Sequence, residues 1–190
     1  MHGLKMLTAA VTTACGACAA ATAPPPMQSP ARSDSGAAAN PAAQSESFEG
    51  EILALHNRHR AVAGVAPLQW DAALAASAKA YAPALAAAGN LVHSARASRP
   101  GQGENLWMGS AGRYSAARAA ENWARERENF RPGTFPNVSK TGNWMDVNHY
   151  SQMIWPTTTR VGCAQAHAGA WDYVVCRYSP SGNRDDQRVP

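Results

Sequence analysis

Along residues 48–190 the apolar positions change period from block to block. Phe48, Ile52, Leu55 and Val62 recur at helical spacing with charge between them, which predicts a first helix ended by Gly64 and Pro67. Asp71 suits the N-cap of a second helix, whose stripe runs through Trp70, Leu74, Ala78, Tyr81 and Leu85. Pro83 predicts a kink or an early end to it, and Gly89-Asn90 a stop. A Gly-, Ser-, Arg- and Pro-rich loop covers 94–103, and a short strand is expected over Asn105 to Met108. Ser115 to Asn129 reads as a third helix with Trp123 on its apolar face. Pro132, Gly133, Pro136 and Gly142 predict a long loop over 130–145. Asp146 fits the cap of a fourth, short helix reaching Trp155, with Pro156 after it. Val161 to His167 and Asp172 to Tyr178 read as two strands around Gly169-Ala170, a two-residue hairpin loop with Gly first. Helices followed by a terminal hairpin predict an α+β layered domain.

That hairpin register sets Cys163 opposite Cys176, at a non-hydrogen-bonded position where the strands are close enough for a disulfide. The alternative is two free buried thiols. The compartment bears on the choice. Residues 1–23 read as an export signal: His2 and Lys5 are basic, a modestly apolar stretch follows, and small residues close it. Small residues precede Cys15 and Cys18, so either is a candidate lipid-attachment site. Secretion or periplasmic release and a lipid anchor both stay open. Residues 24–47, rich in Ala, Pro and Ser, read as a disordered linker, and 48–190 as the folded domain. In an oxidising compartment the remaining cysteine pair favours the bridge.

Composition alters this picture modestly. Hydrophobic residues make up 45% of the chain, but 41 of the 190 positions are alanine, which buries little surface; a core for one domain is plausible and two independent cores are not. Residues 48–190 carry 15 Lys/Arg and 11 Asp/Glu, scattered along the chain. A nucleic-acid footprint would be denser, whereas weak, salt-sensitive attraction to an anionic envelope surface is compatible with this charge. No apolar run is long enough for a transmembrane helix.

The domain has no HExxH, no phosphate-binding glycine loop, no GxSxG and no CxxC. Four residues nonetheless suggest chemistry. His93 follows the second helix, Glu104 lies in Gly103-Glu104-Asn105-Leu106-Trp107, Glu126 is three residues beyond Trp123, and His149 begins the fourth helix. Two imidazoles and two carboxylates suit a divalent metal, with the imidazoles as ligands and the carboxylates orienting them or a water. Taken singly, each residue is more simply a hydrogen-bonded or ion-paired structural group.

His149-Tyr150-Ser151-Gln152-Met153-Ile154-Trp155 followed by Thr159-Arg160-Val161-Gly162-Cys163-Ala164 resembles the first signature of the CAP superfamily, and Tyr173 to Asn183 resembles its second. Gly103 to Trp107, His56-Asn57-xx-Arg60, Leu68-xx-Asp71-xx-Leu74 and Trp123-xx-Glu126 match in the family's order. Asn148 stands where Gly is common and Ser151 where Thr is common. The resemblance implies a three-layer α-β-α sandwich around a small antiparallel sheet. It also implies a cavity lined by the tetrad His93, Glu104, Glu126 and His149, with the His pair able to hold zinc or another divalent cation. His56, Asn57 and Arg60 fall in a motif read as structural, with Asn57 and Arg60 satisfying buried backbone groups. The expected role is binding of a lipid or other small hydrophobic molecule. Phe130, Phe135 and Trp144, on the loop before the fourth helix, either contact that ligand or pack the loop onto the domain. The leader is bacterial in style, so an envelope lipid is a better expectation than a sterol. The alternative function is a metal-dependent, peptidase-like hydrolase using the same tetrad.

Overall fold

The structure is a computed structural model and describes residues 47–190; the export signal, Cys15, Cys18 and all of the linker before Ser47 lie outside the described residues. Helix α1 (Phe48–Val62) starts where the Ser47 hydroxyl accepts the Gly50 amide. Strand β1 (Gln69–Trp70) leads into α2 (Ala72–Ala88), capped by the Asp71 carboxylate on the amides of Ala73 and Leu74 and closed by Gly89 at φ 70°. Pro83 does not end α2, which runs past it to Ala88. Burial of Leu85 and Ala86 against the sheet holds the segment beyond it in place. Then come β2 (Gly103–Ser110), α3 (Ala116–Arg125), β3 (Gly133–Thr134), α4 (Asn148–Met153), β4 (Arg160–Ala168), β5 (Trp171–Ser179) and β6 (Arg188–Val189).

Several boundaries differ from expectation. β2 is twice as long as its apolar core suggested, because it pairs with β5 along its whole length. The third helix tightens into a 3-10 turn at Glu126–Glu128, and another such turn, Trp144–Val147, precedes α4. Asp146 does not cap α4. Its carboxylate accepts from the Thr141 hydroxyl and the Asn143 side-chain amide and braces the loop, while Asn143 caps the 3-10 turn.

The main sheet has the order β1-β4-β5-β2. Its three long strands are antiparallel; the two-residue β1 joins the edge in parallel with β4. β3 and β6 form a separate small ladder. Alternation along β5 divides two cores. Tyr173 and Val175 face α2, packing with Ala78, Ala82 and Leu85. Val174, Cys176 and Tyr178 face α1, α3 and α4, packing with Ile52, Leu55, Trp123, Met153 and Trp155. The result is the expected α-β-α sandwich. Small residues on α2 let the helix lie close to the sheet. Gly162 is the closest point, where a Cβ would sit 2.3 Å from the Ala75 nitrogen.

The hairpin register is as predicted: Cys163 faces Cys176 across a 4.1 Å Cα–Cα gap and the two are joined by a disulfide. Gly169 takes the positive φ, 56°, of the two-residue loop.

Buried polar groups lock the layers together. Asn57 clamps the strand entry by accepting from the Leu68 amide and donating to the Leu68 carbonyl. His56, fully buried, donates from Nδ1 to the Ile52 carbonyl and accepts from the Tyr178 hydroxyl, which itself accepts from Asn105. Burial pushes the His56 imidazole down to about 4. Arg60, also fully buried, donates to the carbonyls of Ala66, Met153, Trp155 and Thr158.

Removing Arg60 takes the side-chain donors from four carbonyls, of which Trp155's still accepts the Thr158 amide. Arg60→Met is expected to lower unfolding free energy by at least about 3 kcal/mol, and Arg60→Lys by less, in urea titrations. His56 stays neutral when folded but charges when unfolded, so the unfolded chain binds the extra proton between about pH 6.5 and 4. Stability is therefore full above that window and is lost as pH falls through it, by on the order of 3 kcal/mol. Denaturant midpoints at pH 7 and 4.5 check this, and His56→Gln should flatten that part of the pH dependence.

Candidate functional site

β2 is an edge strand, and its second and third residues reach to opposite faces of the sheet. Glu104 points to the α2 side. Its side chain is fully buried, and it accepts the Nδ1 hydrogen of His93 at 2.6 Å. It also accepts the Ser94 amide and hydroxyl at 3.0 Å each and Arg177 Nη1 at 2.9 Å. Arg99 Nε lies 3.7 Å away and is pinned by Ser94. Burial alone would push the Glu104 carboxyl up. The His93 hydrogen bond, the Arg177 charge, the Ser94 bonds and Arg99 together outweigh it, and the carboxyl sits below its usual range. Arg177 lies over the Tyr81 ring, with its carbon 5.5 Å from the ring centre.

Asn105, the next residue, points to the other side and donates to the His149 carbonyl. There the second pair is built by different means. Glu126 is at the C-terminal end of α3; its Oε1 accepts His149 Nδ1 at 2.5 Å and its Oε2 accepts the amides of His149 and Tyr150. One carboxylate thus caps the first turn of α4 and fixes the ring that α4 carries. Trp123 stacks on that ring at 6.1 Å, held in turn by its indole N–H on the Leu106 carbonyl.

The tetrad therefore stands as two His–Glu pairs flanking the start of β2. A hollow of about 290 Å³ is lined by His93, Glu104, Asn105, Asn148 and Trp144. It reaches the residue beside His149, while His149 and Glu126 themselves do not line it. Among the described residues no group of three or more His, Cys, Asp or Glu is gathered as a metal site. Both carboxylates hold a ring N–H and backbone or side-chain donors. In the resulting tautomer the proton is on Nδ1 and the Nε2 lone pair is outward, the form in which a metal-binding imidazole is oriented by a carboxylate. The Asn148 side-chain oxygen, at the hollow's wall, is buried without a hydrogen-bond partner. Each imidazole, His93 at the hollow and His149 beside it, is thus held in the tautomer that a metal ligand uses.

Of the loop aromatics, Phe130 and Phe135 are in the main core, and Phe130 meets Tyr150 edge-on. Trp144 is 39% exposed and touches Phe135 at 5.3 Å. Sequence reasoning missed Ser94, Arg99 and Arg177. Arg177 had a signal: a lone charge in the apolar run Tyr173-Val174-Val175-Cys176-Arg177-Tyr178 needs a buried counter-charge.

An α-β-α sandwich with paired His–Glu side chains at a sheet edge defines the class. The cysteine-rich secretory protein (CAP) family profile matches residues 53–178, and the chain belongs to this family. It is 40% identical over 140 residues to pathogenesis-related protein 1C of Nicotiana tabacum, covering 73% of this chain and 78% of that protein. The crystal structure of NaASP2 with Zn2+ superposes with a TM-score of 0.61 at 25% identity, over 73% of this chain and 82% of that one. Na-ASP-1 superposes with a TM-score of 0.62 at 23% identity, over 76% of this chain; the match spans 41% of the Na-ASP-1 chain.

Replacing Glu104 leaves Arg177 buried without its counter-charge. Glu104→Gln is expected to cost about 3 kcal/mol in denaturant titration. In ring-nitrogen NMR it should abolish the Nδ1–H preference of His93 and leave that of His149 in place.

Proposed function

We propose that this chain is an exported binding module. In this reading its CAP domain holds a divalent cation, zinc or a similar ion, on Nε2 of His93 and His149. Beside that ion it offers a cleft for a lipid or other small hydrophobic molecule. The observation that carries the reading is the fixing of both imidazoles through Nδ1 by Glu104 and Glu126, at 2.6 and 2.5 Å. A metal-binding imidazole is commonly oriented in this way, with its other ring nitrogen held by a carboxylate. The solved relative NaASP2 with Zn2+ adds support. Export is supported by the Cys163–Cys176 disulfide and by family membership. The hydrophobic part of the ligand has Trp144 and Phe135 as its wall.

The hydrolase alternative is weaker. A general base needs a carboxylate free to take a proton from water. Glu104 accepts from His93, Ser94 and Arg177, and Glu126 from His149 and Tyr150, so neither is free.

Calorimetric titration of chelator-treated full chain with zinc chloride is expected to show one site. His93→Ala combined with His149→Ala should weaken it at least about a hundredfold, with circular dichroism reporting an intact fold. Unchanged zinc binding in the double variant would remove the cation from this reading.

A further inference from the structure

Next to the His93 hollow lies a larger cleft of about 790 Å³, inside the size range of small-molecule sites. The two share Arg96, Arg99, Trp144, Ser181, Gly182 and Asn183. Its chemistry is lopsided. Three guanidinium groups line it, Arg96, Arg99 and Arg184, against a single carboxylate, Asp185. Glu104, buried behind the wall, is paired with Arg177 and lies 3.7 Å from Arg99, so the charge left uncompensated in the cleft is that of Arg96 and Arg184. Arg99 is locked by the Ser94 carbonyl and hydroxyl and the Gln102 carbonyl, so it is a fixed part of the wall. Arg96 and Arg184 are exposed, and the hydrogen bonds and ion pairs among the described residues leave their guanidinium groups unpaired. The apolar lining is confined to Phe135 and Trp144. Unpaired guanidinium groups with fixed planar forks prefer phosphate or carboxylate oxygens, and a concave wall concentrates their field.

We propose that this cleft binds an anionic amphiphile, with a phosphate or carboxylate head seated between Arg96, Arg99 and Arg184 and an apolar body lying on Trp144. This rests on the ligand-binding reading above and specifies the ligand's charge, which that reading leaves open. The polar floor of Gln102, Asn183 and Gln187 suits a head group, and the short apolar wall suits only the first part of a chain.

The test titrates full chain with a lysophosphatidate, the monoacylglycerol of the same chain length, and inorganic phosphate, all below aggregation concentrations and with EDTA present. Wild type is expected to bind the lysophosphatidate at least about tenfold tighter than the monoacylglycerol, with inorganic phosphate far weaker. Arg96→Gln with Arg184→Gln should bring the two lipids to near parity without changing the monoacylglycerol affinity. Trp144→Ala should weaken both. Equal affinity for the two lipids in wild type, or an undiminished preference in the arginine variant, overturns the anionic subsite while the hydrophobic-ligand reading stands. Phosphate binding as tight as lysophosphatidate overturns the amphiphile in favour of a free anion. A preference that appears only in a parallel titration with zinc chloride in place of EDTA puts the head group on a metal and overturns the arginine site. Binding of neither lipid overturns both readings.

Discussion

Arg60 lies wholly inside the domain, and no carboxylate meets it among the described residues; four carbonyls do. Burial pushes its guanidinium down to about 10, still charged at neutral pH. Such a charge is tolerable only where dipoles surround it in fixed geometry. The four carbonyls come from the turn after α1 and from the end of α4 and the turn beyond it. One side chain therefore sets where α1 ends, where α4 stops and where β4 begins. α4 carries His149, and β4 carries one half of the disulfide. The site's geometry is in this sense downstream of a helix residue that never approaches it.

The two His–Glu pairs reach the same imidazole tautomer by different routes. Glu104 is embedded in charge: Arg177 and Arg99 neutralise it, and Ser94 relays between them. Glu126 is stabilised by main-chain amides at the first turn of α4, and its ring partner is held by an aromatic stack. A change in α4 would move His149 and leave His93 where it is, and the reverse holds for the Arg177 strand. The pairs are joined through neighbouring residues of β2, since Glu104 serves one and Asn105 serves the other.

How much of this was legible depends on range. Local signals read through: Asp71 as a cap, Gly89 as a stop, and the hairpin register that set Cys163 against Cys176. These depend on neighbours within a turn or a loop, and sequence spacing measures such distances directly. Pro83, read as a kink or an early end, did not end α2, because tertiary burial outweighed a local penalty. Asp146 failed as a cap for α4 because its carboxylate is taken up by Thr141 and Asn143, and the amides of the first turn of α4 go instead to Glu126. The site residues were nameable only through the family's ordered motifs; periodicity cannot bring Glu126 and His149 together across 23 positions. Their hydrogen-bond partners were not legible at all, apart from the anomaly of Arg177 in an apolar strand.

Charge placement follows from the same division between inside and outside. The ions of the site have partners: buried Arg177 has Glu104, and half-buried Glu126 has backbone amides and an imidazole. A paired buried ion projects little field into solvent. The basic surplus of the domain is thus expressed by exposed arginines, and near the site those are Arg96 and Arg184, on segments that belong to no long strand or helix. The scaffold fixes the rings, while the loops around it set the sign of whatever approaches them. This explains why a chain with scattered basic residues still presents a directed positive wall. The scatter is a property of the sequence, and the wall appears only after the 96–102 loop and the 181–187 segment are folded against each other.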